Sequence, residues 1–177
     1  MIFEYRLNED DFLEYQLFTV SKSERMQKKK RNSRVLLTVG ASGIAGYFYV
    51  NGNIGMTYYF AIIALLTSLF YPKYYKWRYR KHFLNFIRTN YANRFNEVSS
   101  IEISKNQIIA KDVSGEGRVG ISEVEKVSET INHFFLLLKS GDSLIIPKAQ
   151  LPNESELKSE FRSRNICIEN ELEWEWN

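Results

Sequence analysis

The sequence predicts an α+β membrane protein: a two-helix transmembrane hairpin inserted in an antiparallel sheet or small barrel that a C-terminal helix closes. Three observations predict it. No charged residue occurs over the 38 positions from Val35 to Pro72. Lys and Arg cluster on both sides of that stretch. From Val98 onward the hydrophobic period changes from helical to two.

The opening segment, 1–24, reads as a strand and a helix belonging to the cytoplasmic domain. "MIFEYRL" alternates. "NEDD" then starts a helix, with Asn8 as N-cap and acids in the first turn. The pattern through Phe12, Leu13, Tyr15 and Val20 leads towards the apolar region. No cleavable signal peptide is expected, because "MIFEYRLNEDDFLEY" is acidic and lacks an apolar core.

Segment 34–77 is the expected hairpin. A hydrocarbon core needs about 20 apolar residues per helix. Arg34–Val50 is short, at about 25 Å on a 1.5 Å rise, and Met56–Tyr75 is comfortably long. The polar break "NGNIG", Asn51–Gly55, is the turn. Both arms must be helical, because lipid satisfies no backbone hydrogen bond.

The glycines of "GASGIAG", 40–46, invite a nucleotide-loop reading, which fails on three counts. The spacing is G-x-x-G-x-x-G. The only preceding strand candidate, Val35–Val39, follows directly on a cationic cluster. The next acid after Gly46 is Glu97, far beyond the place of a ribose-binding carboxylate. Gly40, Ser42, Gly43 and Gly46, with Ala41 and Ala45, read instead as small residues that let helices pack closely in a bilayer.

Charge sets the expected orientation. Thirteen of the 24 Lys and Arg, and none of the 21 Asp and Glu, lie in 25–96; the remainder of the chain carries a net charge of −10. Lys28–Arg34 precede the hairpin and Lys73–Lys81 follow it, whereas the turn is uncharged. The positive-inside rule places both termini in the cytoplasm and Asn51–Gly55 outside. Tyr47–Tyr49 and Tyr58–Phe60 form one aromatic belt, and Tyr71, Tyr74, Tyr75 and Trp77 the other. The basic flanks are accounted for by this placement and would attract anionic lipid, so no nucleic-acid partner is expected.

Segment 78–96 reads as a helical extension of the second arm. The cytoplasmic domain, 97–168, then shows short strands at 100–104, 106–113, 115–121, 124–130, 133–140 and 143–148. "HFFLLLKS" is continuously apolar and reads as a central strand covered on both faces. "PNESELKSEF" starts a helix, with Asn153 as N-cap and Glu156 at the capping-box position. Cys167, between Ile166 and Ile168, reads as a buried residue of a short strand. The tail 169–177 alternates acids with Leu172, Trp174 and Trp176; it reads as an edge strand, a docking tail or disorder.

Site chemistry is sparse. One cysteine excludes an internal disulfide and a cysteine-rich metal centre. His82 and His133 lack metal-ligand companions in sequence, and His133 reads as a turn or strand start. There is no nucleophile elbow, HExxH or paired-carboxylate motif. Glu116, Glu123, Glu125 and Glu129 read as a solvated strand edge. No enzyme, cofactor or metal is expected. The apolar arms hold no ionisable residue besides tyrosine, so an ion relay is not expected either.

The chain resembles the YcxB-like membrane proteins. The features that carry the resemblance are "FEYRLNEDDFLEYQLF" (3–18), the hairpin with basic flanks, and "LIIPKAQLPNESELKSEF" (144–161), where an Ile-Pro-Lys leads into a helix. The resemblance implies a two-span protein of the bacterial cytoplasmic membrane with a PH-like cytoplasmic domain, and it carries no catalytic residue. The expected function is a membrane-anchored module that recruits or senses a protein partner, one form being an immunity protein against a delivered toxin. The alternative is a lipid-binding PH-like sensor or a homo-oligomeric membrane assembly. Lys148 after Pro147 is the candidate binding residue, against its reading as a solvated turn residue. Trp174 and Trp176 are candidate interface anchors, against an edge strand packed on its own domain.

Overall fold

The structure, a computed structural model, describes residues 1–176. The chain divides into two compact units: a sheet unit of residues 1–16 and 84–175, and a helical unit of residues 17–83 joined by Trp176. The elements in order are β1 (Ile2–Arg6), α1 (Glu9–Lys22), α2 (Glu24–Val50), α3 (Ile54–Asn90), β2 (Val98–Ile103), β3 (Gln107–Asp112), β4 (Gly115–Gly120), β5 (Val124–Glu129), β6 (His133–Leu138), β7 (Ser143–Pro147), α4 (Glu154–Ser163) and β8 (Ile168–Asn170).

The sheet unit holds two four-stranded sheets, ordered β1-β2-β3-β4 and β7-β6-β5-β8. All pairings are antiparallel except β5 with β8, which is parallel and pairs Val127 with Ile168. The tail segment just beyond Cys167 is therefore an edge strand. Cys167 itself is exposed, not buried as its apolar neighbours suggest: alternation sends Ile166 inward and turns the intervening residue out.

Strand alternation builds the core. In β1, Phe3 and Tyr5 are buried while Glu4 faces out. Their sheet adds Ile101, Ile103 and Ile108, and the second sheet adds Val127, Phe134, Leu136 and Ile146. β6 lies between β7 and β5 and is buried along nearly its whole length, as its continuous apolar run predicts. α4 inserts Leu157 and Phe161, and the Phe161 ring meets Phe134 edge-on at 6.4 Å. Each such aromatic contributes about 1.5–3 kcal/mol of burial.

Both predicted caps form. The Asn8 side chain accepts from the Asp10 and Asp11 amides, and Asp11 Oδ2 accepts from the Asn8 amide at 2.7 Å. This reciprocal box fixes the start of α1. Asn153 accepts from the Glu156 amide at 3.2 Å and starts α4. The first two turns of α1 set Phe12 against Tyr91 and Phe95, at 5.2 and 5.9 Å.

The outer edges of β1 and the segment after β7 are joined by one side chain. Gln150 accepts from the Arg6 amide and donates to the Arg6 carbonyl, both at 2.8 Å. A primary amide has the donor and acceptor of a peptide unit, so Gln150 stands in for one residue of a neighbouring strand.

In the helical unit α2 and α3 form a hairpin about Asn51–Asn53. Gly52 takes φ +72°, a conformation costly for a side chain with a Cβ. Asn53 caps α3 through the Met56 amide. Phe48 stacks on Phe60 at 5.7 Å, and Ala45 and Ala64 are buried. Among the described residues α3 is the one helix long and apolar enough to cross a membrane. α2 falls short because seven of its first eleven residues, Glu24–Arg34, are charged. α3 carries Pro72 in its interior, which removes the hydrogen bond that the Ser68 carbonyl would receive.

Candidate functional site

Lys148 opens the turn after β7, and its backbone amide is held by the Asn132 carbonyl at 2.8 Å. Its Nζ lies 2.8 Å from Glu129 Oε1 and 4.8 Å from the centre of the Phe134 ring. Lys158, from α4, reaches the same carboxylate oxygen at 2.7 Å and also Glu154 at 2.7 Å. The side chains of Lys148 and Glu129 are 11% and 9% exposed. Glu129 is therefore no solvated edge. The last residue of β5 points inward, where two ammonium groups replace its water. Burial alone would raise the Glu129 carboxyl; the hydrogen bonds and charges of Lys148 and Lys158 prevail and hold it below its ordinary range. The sequence-predicted binding lysine is thus engaged by its own domain.

A second cluster lies at the start of β6. His133 is 3% exposed. Its Nε2 is 2.8 Å from Asp11 Oδ1, and its Nδ1 is 3.1 Å from Glu14 Oε1. The first contact is a hydrogen bond; the second is an ion-pair approach without hydrogen-bond alignment. Glu14 also accepts from Asn132 Nδ2 at 3.1 Å and from Thr130 Oγ1 at 3.4 Å. Burial would depress the imidazole, but Asp11 and Glu14 outweigh it and push its pKa up to about 9. The same contacts hold Glu14 below its usual range despite partial burial. His133 is therefore an imidazolium at neutral pH, clasped by α1. Sequence reading missed this cluster, since 122 residues separate Asp11 from His133. Two signals were present: Asp11 and Glu14 share a helical face at i, i+3, and a histidine opens an otherwise apolar strand. Among the described residues no His, Cys, Asp and Glu group could hold a metal ion.

The sheet unit also has a cleft of about 380 Å³. Tyr5, Leu7 and Phe12 form its apolar wall, and Ser143–Ile145 of the edge strand β7 run along it. The charged rim is internally neutralised: Arg94 pairs with Asp112 at 3.5 Å and Lys111 with Glu116 at 2.8 Å. Burial, and then the Asp112 charge, raise the Tyr5 phenol, so it stays protonated.

In the helical unit the small residues divide between two faces. Ala45 is buried and Ala41 half-buried, on the side of the Phe48–Phe60 stack. Gly40, Gly43 and Gly46 lie on another side; a Cβ there would meet nothing within 4 Å. Ser42 is likewise exposed. The glycines are thus not what brings α2 and α3 together. Leu36, Val39, Val50, Leu65, Leu69 and Phe70 are all more than half exposed.

The two tail tryptophans part company. Trp174 stays with the sheet unit, its amide donating to the Glu171 carbonyl at 3.0 Å. Trp176 groups with the helical unit, and its indole Nε1 is buried, with no hydrogen-bond partner among the described residues.

Residues 103–163 match the family model described as YcxB-like protein. The match runs from the end of β2 through α4, taking in Glu129, His133, Lys148 and Lys158. No curated protein and no solved structure matches the chain.

Proposed function

From the match of residues 103–163 to the YcxB-like family model, we propose a membrane-anchored, non-catalytic binding module. The α2–α3 hairpin spans the cytoplasmic membrane twice, with both termini inside and the Asn51–Gly55 turn outside. The sheet unit is a PH-like domain that receives an extended segment of a protein partner.

One observation carries the anchor: most of the large apolar side chains of the hairpin, Leu36 and Phe70 among them, are exposed. A continuous apolar surface on both helices has no place in water. The Lys and Arg that flank the hairpin supply the inward bias. Single spanning of α3 with α2 lying at the interface would leave Val39–Val50 unaccounted for.

The cleft beside β7 supports the binding role. Ser143–Ile145 lie on the open side of an edge strand, to which an extended chain can add by main-chain hydrogen bonds. The rim cations are neutralised within the cleft, so an anionic headgroup gains little there. A protein segment with apolar side chains suits the Tyr5–Leu7–Phe12 wall.

Topology is tested with the one exposed thiol, Cys167. A membrane-impermeant maleimide should label it only after the cells are opened. The Cys167→Ser, Asn53→Cys variant should label in intact cells. Labelling of Cys167 from outside would overturn the orientation. For binding, partners crosslinked to the wild type in native membranes should be lost on Leu144→Arg, with the fold retained by thermal melting. An unchanged crosslinking pattern would remove the cleft from the proposal.

A further inference from the structure

The binding reading above uses the β7 edge of one sheet. The other sheet, β1-β2-β3-β4, has two edges of its own, and they are finished differently. At β1, Gln150 bonds both the amide and the carbonyl of Arg6 and closes the edge there. At β4 nothing comparable occurs. Among the described residues no group bonds the main chain of Glu116 or Arg118 on the side away from β3.

Which groups face outward follows from the ladder. The Ile121 amide donates to the Asn106 carbonyl at 2.9 Å, one step beyond the Gln107–Gly120 pair. Antiparallel main-chain bonds alternate along a strand. Val119, Gly117 and Gly115 therefore bond to β3, whereas Glu116 and Arg118 turn their N–H and C=O groups outward.

A proline or a bulge commonly blunts such an edge, and β4 has neither. Its sequence is GEGRVG, it pairs with β3 in continuous register, and its first four residues are exposed. Its two charges are of opposite sign. Glu116 and Arg118 share a strand face at i, i+2 and lie 2.8 Å apart. Lys111, on β3, meets Glu116 at 2.8 Å. Gly117 sits between the two charges and has no side chain on the other face.

We infer that β4 pairs antiparallel with β4 of a second copy of this chain, about a two-fold axis through Gly117. Outward groups must meet outward groups, which leaves few registers. Centred on Gly117, each Glu116 faces Arg118 of the other copy, and the two exchange main-chain hydrogen bonds. A shift of the axis to Glu116 sets the two Glu116 side chains against each other. A shift to Arg118 does the same for the two arginines. Like charges directly opposite are destabilising, and opposite charges are favourable. The strand is self-complementary in one register, as a two-fold interface requires. Across the joint the charges then alternate: Lys111, Glu116, and Arg118 of the second copy. The inference uses the sheet unit alone and does not rest on the membrane anchor.

The test uses the full chain with Cys167→Ser, which removes the one native thiol. Gly117→Cys places a thiol on the axis. A Cβ there meets only the Ala110 carbonyl oxygen, at 3.9 Å, so the strand accepts it. The two axial Cα atoms would be about 4.5 Å apart, inside the roughly 4.4–6.8 Å that a disulfide spans. Ser114→Cys is the control, since in this register its two copies lie about 20 Å apart at 3.4 Å per residue. Mild oxidation in freshly opened cells should link Gly117→Cys chains into dimers and leave Ser114→Cys chains unlinked. Two differently tagged copies, co-expressed and recovered in gentle detergent, then test the charges. Glu116→Arg alone and Arg118→Glu alone should each lower recovery of the second tag several-fold. Co-expressing one single variant with the other should restore it, because each reversed charge then faces its opposite. That restoration also shows that both variants fold. Linkage at 114 as strong as at 117, or no linkage at 117, overturns the pairing. Single variants that associate as well as the wild type, or a mixed pair that does not recover, overturn it as well.

Discussion

His133 Nε2 and Asp11 Oδ1 lie 2.8 Å apart across 122 residues of sequence, joining the first strand-turn-helix of the chain to the centre of the second sheet. The pair is nearly dry: the two side chains are 4% and 12% exposed. Removing one partner of such a pair leaves an uncompensated charge. His133→Leu is expected to cost about 3–5 kcal/mol of sheet-unit stability, read as a lowered denaturation midpoint in urea. A loss below 1 kcal/mol would mean that the carboxylates find water when the imidazole goes.

The same cluster sets a pH dependence. The His133 pKa is raised from 6.5 to about 9. Its contribution is therefore fully present below pH 6.5 and is lost as pH rises through about 9. Glu14 is lowered from 4.5, so its contribution is present above that value and is lost as pH falls through the folded-state pKa. Stability should be greatest between roughly pH 5 and 6.5 and should decline on the alkaline side. Melting curves of the wild type against His133→Gln check this, because the variant should lose the alkaline decline. A parallel decline in both would assign it to other groups.

Much of the fold was legible because alternation and capping are local. The Asn8 and Asn153 caps, the apolar centre of β6 and the antiparallel meander of β2, β3 and β4 all follow from residues within a few positions of each other. What was not legible depends on long-range pairing. Glu129 looks like one of a run of surface acids until β7 and α4 bring Lys148 and Lys158 to it. Lys148 looks free until the same pairing is known. The parallel pairing of β8 with β5 has no local signature, and Cys167 faces solvent because its neighbour Ile166 takes the inward side. The small-residue pattern at 40–46 marks helix character, but it does not say which face meets α3.

Lys148 and Glu129 give a sharper test of structure against binding. Glu129→Ala leaves two ammonium groups over the Phe134 ring and is expected to cost about 3 kcal/mol or more. Glu129→Leu with Lys148→Met removes both charges and should recover most of that loss, because an apolar pair of similar volume is often neutral. The check is a double-mutant cycle by urea denaturation. Additive losses would show that the charges do not interact. Lys148→Glu sets two carboxylates together and is expected to unfold the unit, so it is no test of ligand binding.

Gln150 closes the β1 edge by two hydrogen bonds to Arg6. Arg6 is exposed, so water can replace the lost partner. Gln150→Ala should then cost only about 1–2 kcal/mol. Its local signature is faster hydrogen exchange at the Arg6 amide with little change in the β6 amides. Uniform acceleration across both sheets would mean that the seam opens only with global unfolding. Gln150→Glu retains the acceptor but loses the donor, and should fall between wild type and Ala above pH 5.

The glycine face and the alanine face of α2 make opposite predictions. A side chain at Gly43 meets open space, and leucine is the better helix former by about 0.8 kcal/mol. Gly43→Leu should therefore leave the α2–α3 hairpin intact or strengthen it. Ala45 is 8% exposed on the inner face, and enlarging it should force the helices apart at a cost of about 1–3 kcal/mol. Distances between spin labels near Phe48 and Phe60, in vesicles, check both. Ala45→Leu should lengthen and broaden the distribution, and Gly43→Leu should leave it unchanged. The same glycine variant addresses self-association, because the glycine face is open to another copy while the alanine face is not. If crosslinked oligomers disappear in Gly43→Leu while the intrachain distance holds, the face serves packing between chains. If they persist unchanged, the small residues at 40, 43 and 46 do not mediate it.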